Sequence, residues 1–348
     1  MSYQNVGDLL TDSEKAVIDN APIGSTGRFP TWHPIFSPKQ TKTDHLSNHA
    51  VSLVSTKGDQ TWLASLNTRL TNIANAEDAA AALAELRVYG AFLEAAFKVK
   101  PIQVTAKPTP DFEVDVGDGP VAVEVFAKHQ HAQGPSISTP SNQANSNKNI
   151  QITITTHFPA GSPDPKKKDD CTQANVISRV CGAKGSEKQF PTDKPCLLWI
   201  DFRTFGAWPG IISLDQCQPL ISGHNGLCSG ALWYAFFGWE KAPIFEEYFD
   251  FNERTYRMGH AGRFRLDGKS KSKLSGVILA LTDGCVMFEN PWANNPLQDR
   301  TRRHIERLPW FNLGHSIIEY SKGDAANCVA MGRNQINYMH AWHKRLNA

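Results

Sequence analysis

The sequence has no apolar run of the roughly 18 residues that a membrane-spanning helix requires. Its longest candidates, 230–239 and 274–288, are too short or are broken by Thr282 and Asp283. The first fifteen residues, MSYQNVGDLLTDSEK, have no basic start followed by an apolar stretch, so no secretory signal is read there and a soluble, cytoplasmic protein is expected. There is no CxxC: seven cysteines lie scattered at 171, 181, 196, 217, 228, 285 and 328. An odd, unpatterned set excludes a disulfide framework and a four-thiolate zinc site. Charge of one sign is missing too, with 36 Lys+Arg against 34 Asp+Glu and a net charge of +2. No overall field draws this chain to nucleic acid or to an anionic membrane, so any nucleic-acid site must be built from local patches.

Several apparent motifs lack a necessary part. GHNGLCSG at 223–230 has no lysine after its last glycine, as a phosphate loop requires, and reads as a turn. His224 and Cys228 have no third group to orient a base, and His340 and His343 have no accompanying carboxylate.

What is present is a globular composition: 348 residues, 41% hydrophobic, 20% charged and 10% aromatic, enough for a large core. Residues 1–60, interrupted by Pro22, Pro30, Pro34 and Pro38, read as an irregular wrap. Residues 61–97 carry apolar side chains at helical spacing in two helices. Short strands follow at 102–105, 111–116 and 121–126, the last two joined by a Gly117-Asp118-Gly119-Pro120 turn. Residues 129–149, in which Ile137 is the single larger aliphatic side chain, are expected to form a mobile loop. A strand at 150–158, a helix at 175–190 and a continuous apolar strand at 195–201 come next, then a strand at 274–281. The expectation is one elaborated α/β domain: an N-terminal wrap and helix (1–75), a core (76–201) and a C-terminal elaboration packed on it (202–348).

Chemistry concentrates in residues 85–128. Glu85 lies on a helix, Asp111 opens one strand and Glu124 centres the next, flanked by Val123 and Val125 on the opposite face. A carboxylate in so apolar a strand must be paired, neutral or metal-bound, because desolvating an isolated charge costs several kcal/mol. Adjacent hard oxygen ligands suit Mg²⁺ or Mn²⁺. His129 and His131 adjoin the site as alternative general bases.

Pro110-Asp111 and Glu124, in this succession of elements, resemble the PD-(D/E)xK phosphodiesterase superfamily, whose restriction-endonuclease-like fold is built on an α-β-β-β-α-β core. The resemblance covers roughly residues 76–201. It implies a mixed sheet, metal-dependent hydrolysis of nucleic acid (DNA ahead of RNA), Asp111 and Glu124 as ligands of Mg²⁺ or Mn²⁺, and Glu85 as the additional helical acid. The family's lysine belongs two residues after Glu124, where this chain has Phe126. Either Lys128, about 6–7 Å further along the strand, or Lys184 or Lys188 from the following helix would supply the cation, with Gln189 bonding near the metal or phosphate. The alternative is a catalytically inactive nuclease-like fold that binds nucleic acid or acts as a scaffold. An enzyme acting on another substrate is a third class. Nucleic-acid contact is expected at Arg254–Lys273, interleaved with Tyr256 and Phe264, and at Arg300–Arg307.

Overall fold

The computed structural model describes residues 3–19, 44–72, 75–103, 108–127, 136–141, 152–157, 171–181, 187–203, 212–223, 226–246, 256–264, 272–320 and 322–346. Helix α1 (Asp12–Asp19) precedes α2 (His45–Lys57), α3 (Gln60–Leu70) and α4 (Ala76–Glu94). Within the expected irregular wrap, therefore, residues 45–57 are helical. Asp44 caps α2 by accepting the Ser47 N–H, and Asp59 caps α3 by accepting those of Thr61 and Trp62. Asn75 caps α4 in the same way. The alanines of α4 let it sit against its neighbours with small side chains on nearly every side.

A meander follows: β1 (Lys98–Pro101), β2 (Phe112–Asp115) and β3 (Val121–Ala127), each antiparallel to the next. The first strand thus lies four residues ahead of its expected position at 102–105. Strands β4 (Ser136–Ser141) and β5 (Ile152–His157) pair only with each other in a separate two-stranded sheet. This corrects two expectations: residues 136–141 are a strand, not part of a mobile loop, and residues 152–157 are not a strand of the core.

Helix α5 (Thr172–Cys181) crosses back to β6 (Cys196–Asp201), which runs parallel to β3. The helix expected over 175–190 ends at Cys181; Glu187 and Lys188 form a separate 3₁₀ turn. Strands β7 (Leu220–Gly223) and β8 (Gly226–Ser229) pair antiparallel, so that much of the stretch read as a turn, 223–230, is strand, and the apolar run after it is helix α6 (Ala231–Phe237). A short pair, β9 (Pro243–Ile244) and β10 (Tyr256–Arg257), lies beyond. Strand β11 (Gly276–Ala280) then adds parallel to β6, and β12 (Cys285–Glu289) adds antiparallel to β11. Helices α7 (Asp299–Ile305) and α8 (Lys322–Leu346) complete the order.

The result is an α/β architecture around a six-stranded mixed sheet in the order β1-β2-β3-β6-β11-β12. The C-terminal part is more than an elaboration, since it contributes the last two strands. β6 alternates between two cores: Leu197 and Trp199 join one with α2, α3 and α4, whereas Cys196, Leu198 and Ile200 join the other with α5 and α6. Burial on both faces explains why its sequence reads as unbroken apolar residues. All seven cysteines are free, and six are buried. Among the described residues no helix is long and apolar enough to cross a membrane.

Charges inside the molecule are paired. Arg302 forks onto Glu289, both buried, and Arg87 reaches Asp44 at 2.6 Å with Asp201 at 3.8 Å. Arg263 is buried against Glu187, and Phe264 is fully buried beside Phe236 and Phe237. The expected nucleic-acid surfaces shrink accordingly. Arg263, Phe264 and Arg302 belong to the interior, because an aromatic ring or a forked guanidinium is more stable there than facing solvent. Arg257, Arg300, Arg303 and Arg307 remain exposed, while Arg254 and 265–271 lie outside the described residues.

Helices α2 and α4 touch at Gly90, where a Cβ would lie 2.5 Å from the Cα and Cβ of Ala50. Alanine would favour the helix by about 1 kcal/mol, but pushing main chain aside costs about 1–3 kcal/mol. Gly90→Ala is therefore expected to destabilise the protein by up to about 2 kcal/mol, read as a lower urea midpoint with an unchanged slope.

Candidate active site

The hairpin register builds the site. Phe112 pairs with Val123, Glu113 with Ala122 and Val114 with Val121. One step further along, Asp111 faces Glu124, and the Asp111 N–H donates to the Val123 carbonyl at 3.0 Å. The Val125 N–H donates to Asp111 Oδ2 at 2.7 Å, which fixes the aspartate over the strand. Glu124 is 7% exposed and Glu85 is 9% exposed, so the acids meet where water screens them little.

Electrostatics register this crowding. Burial pushes the Glu124 carboxyl up to about 9, with repulsion from Asp111 and Glu85 adding to it; a hydrogen bond to Gln189 opposes the rise. Burial and the Glu85 charge push Asp111 up to about 7, against the Val125 N–H and the nearby Arg69 cation. Asp111 and Glu124 also share a side-chain hydrogen bond, as a protonated acid and its neighbour do. Glu124 Oε2 remains buried without a hydrogen-bond partner.

Glu85 is held differently. Arg69 donates to its two oxygens at 2.7 and 2.9 Å and to Asp78 at 2.9 Å. Burial raises the Glu85 pKa while this fork lowers it. The sequence reading missed Arg69, which lies on a different helix. Its signal was Asp78 and Glu85, seven residues apart and hence on one face of α4, with a cation near the end of the preceding helix.

The expected residues thus separate into groups. The structure brings Glu85, Asp111, Glu124 and Gln189 together. Phe126 is half-buried and packs against the α5 and α6 core. Lys188 is exposed in the turn beside Gln189. Lys128, Lys184, His129, His131 and His224 lie outside the described residues. Cys228 is buried and accepts from the Gln173 amide, which leaves it no nucleophilic role.

Among the described residues no three or more His, Cys, Asp or Glu side chains form a group able to hold a metal. Two carboxylates nevertheless suffice for Mg²⁺, which keeps its other positions for water and phosphate. The orphaned Glu124 Oε2, opposite a second carboxylate, is the kind of donor such an ion takes. No family model, curated protein or solved structure matches the chain.

Raised carboxyl pKa values make the folded state hold protons that the unfolded chain has released. Their stabilisation is complete below about pH 4, the ordinary carboxyl range, and is lost as pH rises through the raised values. Glu124→Gln keeps the hydrogen bond to Asp111 and removes one charge. Without added metal, the variant is expected to be more stable than wild type at pH 8, and its stability should fall less between pH 5 and pH 8. The difference in slope should approach, at most, about 1.4 kcal/mol per pH unit, measured by urea denaturation in chelator.

Proposed function

We propose that the chain is a nuclease of the PD-(D/E)xK kind, hydrolysing phosphodiester bonds in nucleic acid with a divalent cation, Mg²⁺ or Mn²⁺. The observation that carries this reading is the placement of Asp111, at the start of one strand, directly across from the buried Glu124 of the next. The succession α4-β1-β2-β3-α5-β6, with the separate β4–β5 ribbon inserted between β3 and α5, supports it, since the elements of the large sheet follow the α-β-β-β-α-β order of that superfamily.

In this reading Asp111 and Glu124 would hold the cation, with Asp111 oriented by the Val125 N–H. Bound there, the cation would supply a lowered water pKa and compensate negative charge developing on the phosphate. Gln189 hydrogen-bonds Glu124, and Arg69 holds both oxygens of Glu85 from the side. The turn carrying Gln189 also presents Lys188 as the cation that Phe126 displaces from the strand.

Purified protein is expected to cleave single- or double-stranded DNA or RNA with Mg²⁺ or Mn²⁺ and to stop on addition of EDTA. Asp111→Asn and Glu124→Gln should each reduce cleavage by at least about a hundredfold, equivalent to losing about 3 kcal/mol of transition-state stabilisation. Activity that survives Glu124→Gln rejects the assignment. Lys188→Met is expected to lower the cleavage rate at least as much as Lys128→Met; the reverse order would place the cation on the strand.

The half-buried Phe126 favours a second reading, a nuclease-like fold without catalysis that binds nucleic acid or serves as a scaffold. It would give oligonucleotide binding that weakens with salt and no metal-dependent cleavage.

A further inference from the structure

The loop that brings Gln189 to Glu124 has little structure of its own. Glu187 and Lys188 form one 3₁₀ turn, a geometry that does not extend far by itself. Strand pairing resumes at Pro195, whose carbonyl accepts the Ala122 N–H at 2.9 Å. Polar anchors for the turn come from the C-terminal part. Glu187 Oε1 accepts from Arg263 Nη2 at 3.2 Å and from Ser272 Oγ at 3.1 Å, and the Phe190 carbonyl accepts Lys273 Nζ at 2.8 Å. These donors are themselves fixed. Residues 262–264 run along the end of α6, where the Arg263 and Phe264 N–H groups donate to the Ala235 and Phe236 carbonyls at 2.9 and 2.7 Å. Gly262 lies so close there that a Cβ would meet the Phe236 main chain at 2.8 Å. Ser272 Oγ accepts the Leu274 N–H at 3.2 Å, and the Ser275 N–H donates to the Cys196 carbonyl at 2.7 Å, which ties residues 272–275 to the start of β6.

We propose that Arg263 and Lys273 are positioning residues of the Asp111–Glu124 site, gripping the turn on both sides of Gln189 and so holding its side-chain amide at Glu124. The role in catalysis rests on the nuclease reading of that site; the grip itself does not. Consecutive residues of a turn with three residues per revolution project about 120° apart, so Glu187 can be held by the C-terminal part while Gln189 bonds to Glu124 on another side. Arg263 is 6% exposed, and drawing Glu187 away would cost a buried cation its carboxylate. Lys273 closes the other end from the surface. Lys188 lies between the two grips, so the same pair sets where its ammonium can reach.

Gln189 reports the grip without metal or substrate. In the full chain isotopically labelled at glutamine, its side-chain amide signal in nuclear magnetic resonance is assigned by its loss in Gln189→Ala. Lys273→Met and Arg263→Met are expected to move that signal to the position of a solvent-exposed glutamine. The signals of the buried Gln173 and Gln216 should stay in place and report an intact fold. Lys273 is exposed, so its variant is expected to fold even if loss of Arg263 is not tolerated. With Mg²⁺, each variant should lower kcat on a DNA oligonucleotide by about 10- to 100-fold with KM unchanged, the effect of losing a partner that orients a metal ligand. In a Gln189→Ala background, Lys273→Met should cost nothing further. A Gln189 signal that stays put in Lys273→Met, or losses that multiply in the double variant, overturns the proposal. An unmoved signal with a raised KM overturns it as well and assigns Lys273 to phosphate contact. A wild type that neither binds Mg²⁺ nor cleaves rejects the nuclease reading instead, and the Gln189 signal still decides the grip.

Discussion

Pairing Phe112 with Val123 leaves no freedom over what lies one step further along the hairpin: Asp111 and Glu124 must face each other across neighbouring strands. Like charges directly opposed in a sheet are destabilising, and here they meet with β6 closing the far side of β3. Neither acid can move away without breaking the ladder, because the backbone N–H of Val125 is committed to Asp111. The strain of the site is therefore set by the main chain. Proton, metal or amide can relieve it, but side-chain rearrangement cannot.

Elsewhere the interior balances its charges. Arg302 has Glu289, Arg263 has Glu187, and Arg87 lies between Asp44 and Asp201. Around Asp111 the balance fails, because the single arginine acting on the group is already forked onto Glu85 and bonded to Asp78. An uncompensated pair of acids inside an otherwise neutralised molecule is a mark of function rather than stability.

Legibility in the sequence followed the range of the interactions. The buried strand at 196–201 and the β2–β3 hairpin were plain, because burial on both faces and a glycine turn leave local signatures in Leu197–Ile200 and Gly117–Gly119. Asp111, Glu124, Glu85 and Gln189, which the fold brings together, were singled out through the order of elements. The partner of residues 152–157 was not, since a six-residue alternation of Ile and Thr cannot say whether it will join the large sheet or Ser136–Ser141. Arg69 and the burial of Arg263 were hidden for the same reason: each depends on a carboxylate far along the chain.

The two strands added by the C-terminal part bear on how the chain must be made. Strands β1 to β3 form from neighbours in sequence, but β6 is covered on its second edge only when residues 276–280 arrive. A nascent or truncated chain ending near Phe202 would expose the five apolar residues Cys196 to Ile200 along an open hydrogen-bonding edge. Such an edge recruits other strands indiscriminately. Strand β11 therefore covers the second edge of β6, and residues 76–201, which carry the acids of the site, do not complete the sheet by themselves.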